Sequence, residues 1–406
     1  MKKQLLVASV LAALGMMQAQ AGVLDDGNLS ISGFGTLGVA KSNTDAVEFA
    51  RYNQAEGVSD KAKIGLDSNL GLQATYKINE MFSTTAQILT RKNTSQSFTT
   101  DLTWAFLKIK VNEEINVRVG RVVVPTFLIS DYQNVGYANT MMRPPVEMYG
   151  QAPIENVDGV DVNYQHAIGD FNLSTQAFVG VSRGKLFVPT AGGSVATYRA
   201  PAAGVSVGGE YGPFTLRLGH AQAKLDSNDV GPLNNLTGTL KTIGFGQLGQ
   251  DMTLNGGKRI AFTSLGLTMD WRNIVVQAEY AQRRAKEPVY VPDTNAWYTM
   301  VGYRFGKILP YYSHAAYKGA GQSVNVPAGF PKTGALASAV NYSFLSSSEQ
   351  SSDLVGVRWD FAKSLALKVQ VDRVKPKAKS GSLNFGPAAG YTNNVTVVGA
   401  ALDFVF

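Results

Sequence analysis

Along most of this chain, apolar and polar side chains alternate one by one. In Asn69-Leu70-Gly71-Leu72-Gln73-Ala74-Thr75-Tyr76-Lys77-Ile78, the residues Leu70, Leu72, Ala74, Tyr76 and Ile78 share one parity; Gly71, Gln73, Thr75 and Lys77 share the other. Successive side chains of a β-strand point to opposite faces, so the segment is a strand with one greasy and one wet face. Sixteen such strands can be traced, over 29–40, 69–78, 81–91, 102–111, 115–124, 157–165, 171–181, 202–211, 214–225, 259–270, 274–285, 295–305, 308–318, 352–361, 365–374 and 395–406. Most match the ~9–11 residues that a tilted strand needs to cross a hydrocarbon layer. After the N-terminus no run of ~18 apolar residues occurs, which excludes helical membrane spans.

The connections alternate between short and long. Asn79-Glu80, Asn112-Glu113-Glu114, Gly212-Pro213, Gly306-Lys307 and Ala362-Lys363-Ser364 are tight turns; 41–68, 125–156, 226–258 and 319–351 are long. A soluble sandwich has no reason to collect its tight turns at one end, whereas transmembrane barrels do so. Outward aromatics also gather just before the short turns: Tyr76, Tyr164, Tyr211, Trp271, Tyr303 with Phe305, Trp359 with Phe361, and Phe404 with Phe406 at the end. Ordinary strand propensity favours aromatics but does not fix their depth; an interfacial girdle does. An even number of strands closes without an edge, as lipid requires. At sixteen strands the lumen is water-filled rather than packed.

The N-terminus carries Lys2 and Lys3, an apolar run from Leu5 to Met17, and Ala19-Gln20-Ala21. This is the layout of a secretory signal peptide over 1–21, leaving 22–406 as one barrel domain. Cysteine is absent, so neither a disulfide framework nor a thiolate metal site can form. The net charge of +7 belongs to an exported chain without a basic helix, so nucleic acid is not an expected partner. Neither a cofactor nor a metal is expected.

With that signal sequence, the sixteen strands, a long third external loop and the ending Asp403-Phe404-Val405-Phe406, the chain resembles the trimeric porins of the Gram-negative outer membrane. The resemblance spans residues 22–406. It implies an all-β transmembrane antiparallel barrel and passive diffusion of small polar solutes and ions. It also implies a homotrimer among outer-membrane lipid and lipopolysaccharide, and Phe406 as part of the signal read by the barrel-assembly machinery. In that family the third loop folds inward and sets the constriction. The matching segment, Pro125 to Asn156, lacks the Pro-Glu-Phe-Gly-Gly signature of the enterobacterial members, so the shape of the eyelet cannot be carried over. Its charged residues Asp131, Arg143, Glu147 and Glu155 are the candidates for the constriction loop. Outward glycines such as Gly33 and Gly35 are compatible with close subunit packing.

Strand parity names the wall charges. Three or four residues in from the short turns, Lys108, Arg118, Arg217, Arg358 and Lys368 face inward, opposed by Asp161 and Glu279. Such a basic belt raises the local anion concentration, so a mild anion preference is expected. The same charges could merely pair with one another and keep the lumen wet. Arg121 has outward parity unless a bulge turns it.

Three rival functions remain open. A substrate-selective porin for organic anions or phosphate would share the belt. An outer-membrane enzyme would need a histidine beside a nucleophile, and His166, His220 and His314 lie beside none in sequence. An adhesin could use the long loops. Strand 1 begins too soon after residue 21 for a plug domain.

Overall fold

The computed structural model describes residues 27–406 apart from 153, 189–192, 229–230, 322–323, 342–347, 379–380 and 384–390. The expected signal segment 1–21 lies outside the described residues. All sixteen expected strands form. The first eight are β1 (Leu29–Ser42), β2 (Asn69–Lys77), β3 (Phe82–Lys92), β4 (Phe98–Lys110), β5 (Ile115–Val123), β6 (Asn156–Ile168), β7 (Phe171–Val188) and β8 (Ser194–Tyr211). The second eight are β9 (Phe214–Leu225), β10 (Lys258–Trp271), β11 (Ile274–Ala285), β12 (Asp293–Tyr303), β13 (Ile308–Gly321), β14 (Glu349–Ala362), β15 (Leu365–Ala378) and β16 (Val395–Val405). Each pairs antiparallel with its sequence neighbours, and β1 closes on β16 from Phe34↔Val405 to Ser42↔Val397. No edge remains to face lipid, where each unsatisfied backbone group costs several kcal/mol.

The outward parity set is exposed and apolar: Leu70 and Leu72 on β2, Leu265 and Leu267 on β10, Val355 and Val357 on β14, Val369 and Val371 on β15. In water every Å² of that band costs about 25 cal/mol, which is why it belongs in hydrocarbon. The expected girdle is present at the end with the short turns. Tyr76, Tyr211, Trp271, Tyr303, Phe305 and Trp359 are all exposed, with the ring centroids of Tyr303 and Phe305 4.8 Å apart. Among the described residues no helix is long and apolar enough to cross a membrane.

Two local readings need correction. Strands β7 and β8 do not stop at 181 and 202; each runs for 18 residues, and Arg183↔Arg199 and Lys185↔Thr197 continue the ladder. Beyond the hydrocarbon a strand needs no greasy outer face, so the alternation that marks it fades while the backbone pairing persists. Gly33 and Gly35 do point outward, but the rings of Phe406 and Phe404 already cover them so closely that a Cβ at either glycine would overlap a ring carbon. An aromatic laid over a neighbouring strand's glycine stiffens the ladder there. It also takes away the bare surface expected for subunit packing.

Gly120, Gly159 and Gly180 lie side by side across β5, β6 and β7. Gly120 adopts φ 133°, open only to glycine, and a Cβ on Gly159 would overlap the carbonyl oxygen of Val179. Backbone cannot step aside as a ring can. Gly159→Ala should therefore lower stability by about 1–3 kcal/mol. Thermal unfolding in detergent should fall clearly further for it than for Gly35→Ala, whose obstacle is the movable Phe404 ring.

Candidate functional site

The third external connection, residues 124–155, enters the barrel instead of covering it. It begins where Val122 and Val124 pack with Val157 and Phe178, then crosses to the far wall. There Ser264 of β10 donates to the Thr126 carbonyl at 2.5 Å, and the Leu128 amide donates to Glu279 of β11 at 2.8 Å. A turn at Gly136–Ala138 rests against β1 and β16. One helical turn, Val146–Tyr149, then packs on β11 to β14. Pro144 and Pro145 precede that turn; Pro145 holds its cap position at φ −58°, as its ring dictates.

Charged wall residues hold this loop in place. Lys368 is fully buried: its Nζ donates to the carbonyls of Gly136 (2.7 Å), Asn139 (2.5 Å) and Met141 (3.2 Å) and pairs with Asp403 at 2.9 Å. Asp403 in turn accepts from Thr36 at 2.6 Å, which ties loop, β15, β16 and β1 together. Arg358 donates to the carbonyls of Tyr137 (2.8 Å) and Asn139 (2.9 Å) and pairs with Asp360 at 2.8 Å. Glu279 accepts from Tyr298 at 2.8 Å and from Tyr149 of the loop. Lys368 and Glu279, expected to line open water, are thus covered by the loop, and Arg358 is largely covered. Parity gives their direction correctly. It does not reveal that the loop lies on them.

The loop's own charges are equally engaged. Arg143 is buried between Asp67 of the first external loop, at 2.9 and 2.7 Å, and Asp372 of β15. Burial alone would lower the pKa of this guanidinium; the two adjacent carboxylates reverse that and raise it, so the group stays charged. Glu147 is buried and accepts from Gln350 at 2.5 Å and from Ser352. Glu155 pairs with Arg91 at 2.7 Å, and Asp131 with Arg217 at 3.3 Å. Of the loop carboxylates named from sequence, only Asp131 stays exposed toward the lumen.

The wall from β4 to β6 is left open. Lys108 is exposed and pairs in register with Arg118, which forms an ion pair with the buried Asp161. Gln176 also donates to Asp161, at 2.8 Å. Lys108 and Arg118 lie on this wall, Arg217 is joined to Asp131, and a small space between loop and wall is lined by Asp131, Asn134, Gln87 and Thr103. Arg121 points outward, paired with Asp158 at 2.7 Å. Sequence reasoning missed Asp67, Arg91, Gln350 and Ser352 as loop partners, because nothing local marks a residue that will meet a loop folded onto it from far along the chain. His166, His220 and His314 bond to Glu114 (2.7 Å), Thr263 (2.8 Å) and Asp353 (2.8 Å) on three separate strands. Among the described residues no cluster of His, Asp or Glu could hold a metal.

Residues 6–379 match the family described as Gram-negative porin. The chain belongs to that family. Solved porin structures share its fold at low identity. The anion-selective porin from Comamonas acidovorans is 16% identical, with 93% of this chain and 99% of that one covered and a TM-score of 0.54. Salmonella typhi OmpF in complex with daunomycin is 14% identical over 95% and 99%, at 0.53. The trimer form of Vibrio cholerae OmpT is 13% identical over 93% and 100%, at 0.53. No curated protein matches the chain in sequence. The porin is an outer-membrane protein.

Buried Glu147 gives this porin a pH-dependent anchor. Burial raises its pKa above the ordinary 4.5, only partly offset by the bonds from Ser352 and Gln350. An acid whose folded pKa is raised contributes most stability below its unfolded pKa and loses it as pH rises through the folded value. Stability should therefore fall as pH increases from about 4.5. Glu147→Gln keeps the accepting oxygen without the charge, so thermal unfolding measured across that range should be flatter and higher at neutral pH.

Proposed function

We propose that this porin is a passive-diffusion channel for small polar solutes with a mild preference for anions. Lys108 carries that reading. Arg118, Arg217, Arg358 and Lys368 each have a carboxylate partner, whereas Lys108, exposed on the open wall, has none among the described residues. One uncompensated cation beside a narrow aqueous path favours anions weakly. The Comamonas acidovorans neighbour is described as anion-selective, which agrees with this reading. Family and fold support a channel rather than an enzyme.

The same proposal includes a signal peptide over 1–21, a single barrel domain over 22–406, and a homotrimer like the trimer form of the Vibrio cholerae neighbour. It further includes lipopolysaccharide and lipid around the barrel and Phe406 as the assembly signal. Phe406 is paired through its backbone to Gly33 at 2.9 Å in both directions, so the signal residue also completes the seam. Reversal potential across a planar bilayer in a potassium chloride gradient tests the selectivity; a clear cation preference overturns it. The mass of the mature chain tests the cleavage after Ala21.

A further inference from the structure

Above the loop, the lumen departs from what an aqueous channel requires. On the outer half of the wall from β7 to β11 a group of inward positions is apolar: Phe178, Ala202, Ala221, Ala223, Ile260 and Phe262. Outward neighbours on β9, such as His220 and Lys224, are polar. Here the amphipathic sense of the strand is reversed, beyond the hydrocarbon band where nothing forces either sense. The result is a recess of about 370 Å³, open to the vestibule and floored by Thr126 and the loop stretch Gly150 to Ala152. A wholly apolar recess would merely be a poor surface for water. This one contains a cation.

Arg283 lines the recess and donates to the Pro292 carbonyl (3.2 and 3.1 Å) and to the Gln151 carbonyl (3.0 Å), but no carboxylate lies within ion-pair distance among the described residues. Carbonyls orient the guanidinium without neutralising it. The adjoining smaller space holds a second guanidinium, Arg51, also without an ion-pair partner among the described residues, and Tyr52 borders both spaces. Every other arginine bordering the two spaces is matched: Arg91 is paired with Glu155. An apolar recess of ligand size with one or two convergent charged groups is the usual form of a small-molecule site. A carboxylate can receive two parallel bonds from a guanidinium, which fixes its orientation.

We propose that this vestibule is a binding site for an amphipathic organic anion, an aromatic or branched apolar body in the recess and its carboxylate on Arg283. The site deepens the anion-preferring reading above and rests on it. Binding above the eyelet concentrates such solutes before they cross, and slows the flow of others while it is occupied.

The test is single-channel current in planar bilayers with benzoate, acetate and benzyl alcohol added on the loop side. Benzoate should reduce the potassium chloride current saturably, whereas acetate (charge without body) and benzyl alcohol (body without charge) should not. Arg283→Gln should raise the half-blocking concentration of benzoate about ten-fold relative to that variant's own open current, the loss of one charge-assisted contact. Ala223→Asp, which places a like charge on the apolar wall, should do the same and serves if the arginine variant does not assemble. Benzoate indistinguishable from acetate, or block unchanged in an assembled variant, overturns the site. A channel that prefers cations in plain potassium chloride overturns the selectivity reading instead, so the two failures are separable.

Discussion

Arg143→Ala should open the channel. The substitution removes the one group that joins loop 124–155 to both Asp67 and Asp372, and leaves two buried carboxylates facing each other. Removing one partner of a buried ion pair is destabilising by about 3–5 kcal/mol, mostly through the orphaned charge. The least expensive relief is for the loop to swing away and let water reach the acids. Single-channel conductance should therefore rise and become less uniform, and thermal unfolding in detergent should begin earlier. A triple variant, Arg143→Met with Asp67→Asn and Asp372→Asn, separates the two effects. It should recover stability because no charge is stranded, while conductance stays high because the tether is gone. Conductance unchanged in Arg143→Ala would show that the remaining anchors, Lys368 and Glu279 among them, hold the loop unaided.

The second large effect is on selectivity. Lys108→Glu exchanges the unpaired cation of the open wall for an anion beside the Arg118–Asp161 pair. A change of two charges felt at ~8 Å through water is worth about 1 kcal/mol, and more where the walls exclude water. The anion is disfavoured and the cation favoured by that amount, so the anion-to-cation permeability ratio should fall about thirty-fold, and the reversal potential in dilute salt should cross toward cations. Lys77→Glu is the comparison. Lys77 ends β2 at the periplasmic mouth, where mobile ions screen it, so the same charge change should move the reversal potential far less. Equal shifts for both variants would mean that total lumen charge, and no particular constriction, sets the preference.

Much of this is legible in the sequence because a membrane imposes a simple rule. Each residue of a spanning strand must be either greasy or wet, and β2 (Leu70, Leu72, Ala74 against Gly71, Gln73, Thr75) obeys it plainly. Where the membrane ends, so does the rule: the outer arms of β7 and β8 leave no alternation to read, and the apolar inward positions Ala221, Ala223 and Phe262 carry no expected meaning. Direction is legible, too. Lys368, Arg358 and Glu279 do point inward, as parity requires. What they meet is not, because it depends on where loop 124–155 comes to rest. Asp67 and Asp372 approach Arg143 from positions 76 and 229 residues away, a relation that no local pattern encodes.

The uneven attachment of that loop shapes the route itself. Its hydrogen-bonded anchors fall on β3 and on β9 to β15, so the lane that remains runs off-axis along the arc from β4 to β8. A molecule passing through has a rigid sheet on one flank and a tethered ribbon on the other, with Lys108 and Arg118 on the first and Asp131 on the second. If the unpaired Lys108 sets the field there, elongated dipolar solutes should enter with the negative end toward the sheet. Two isomers of equal width but different dipole direction should therefore cross at different rates.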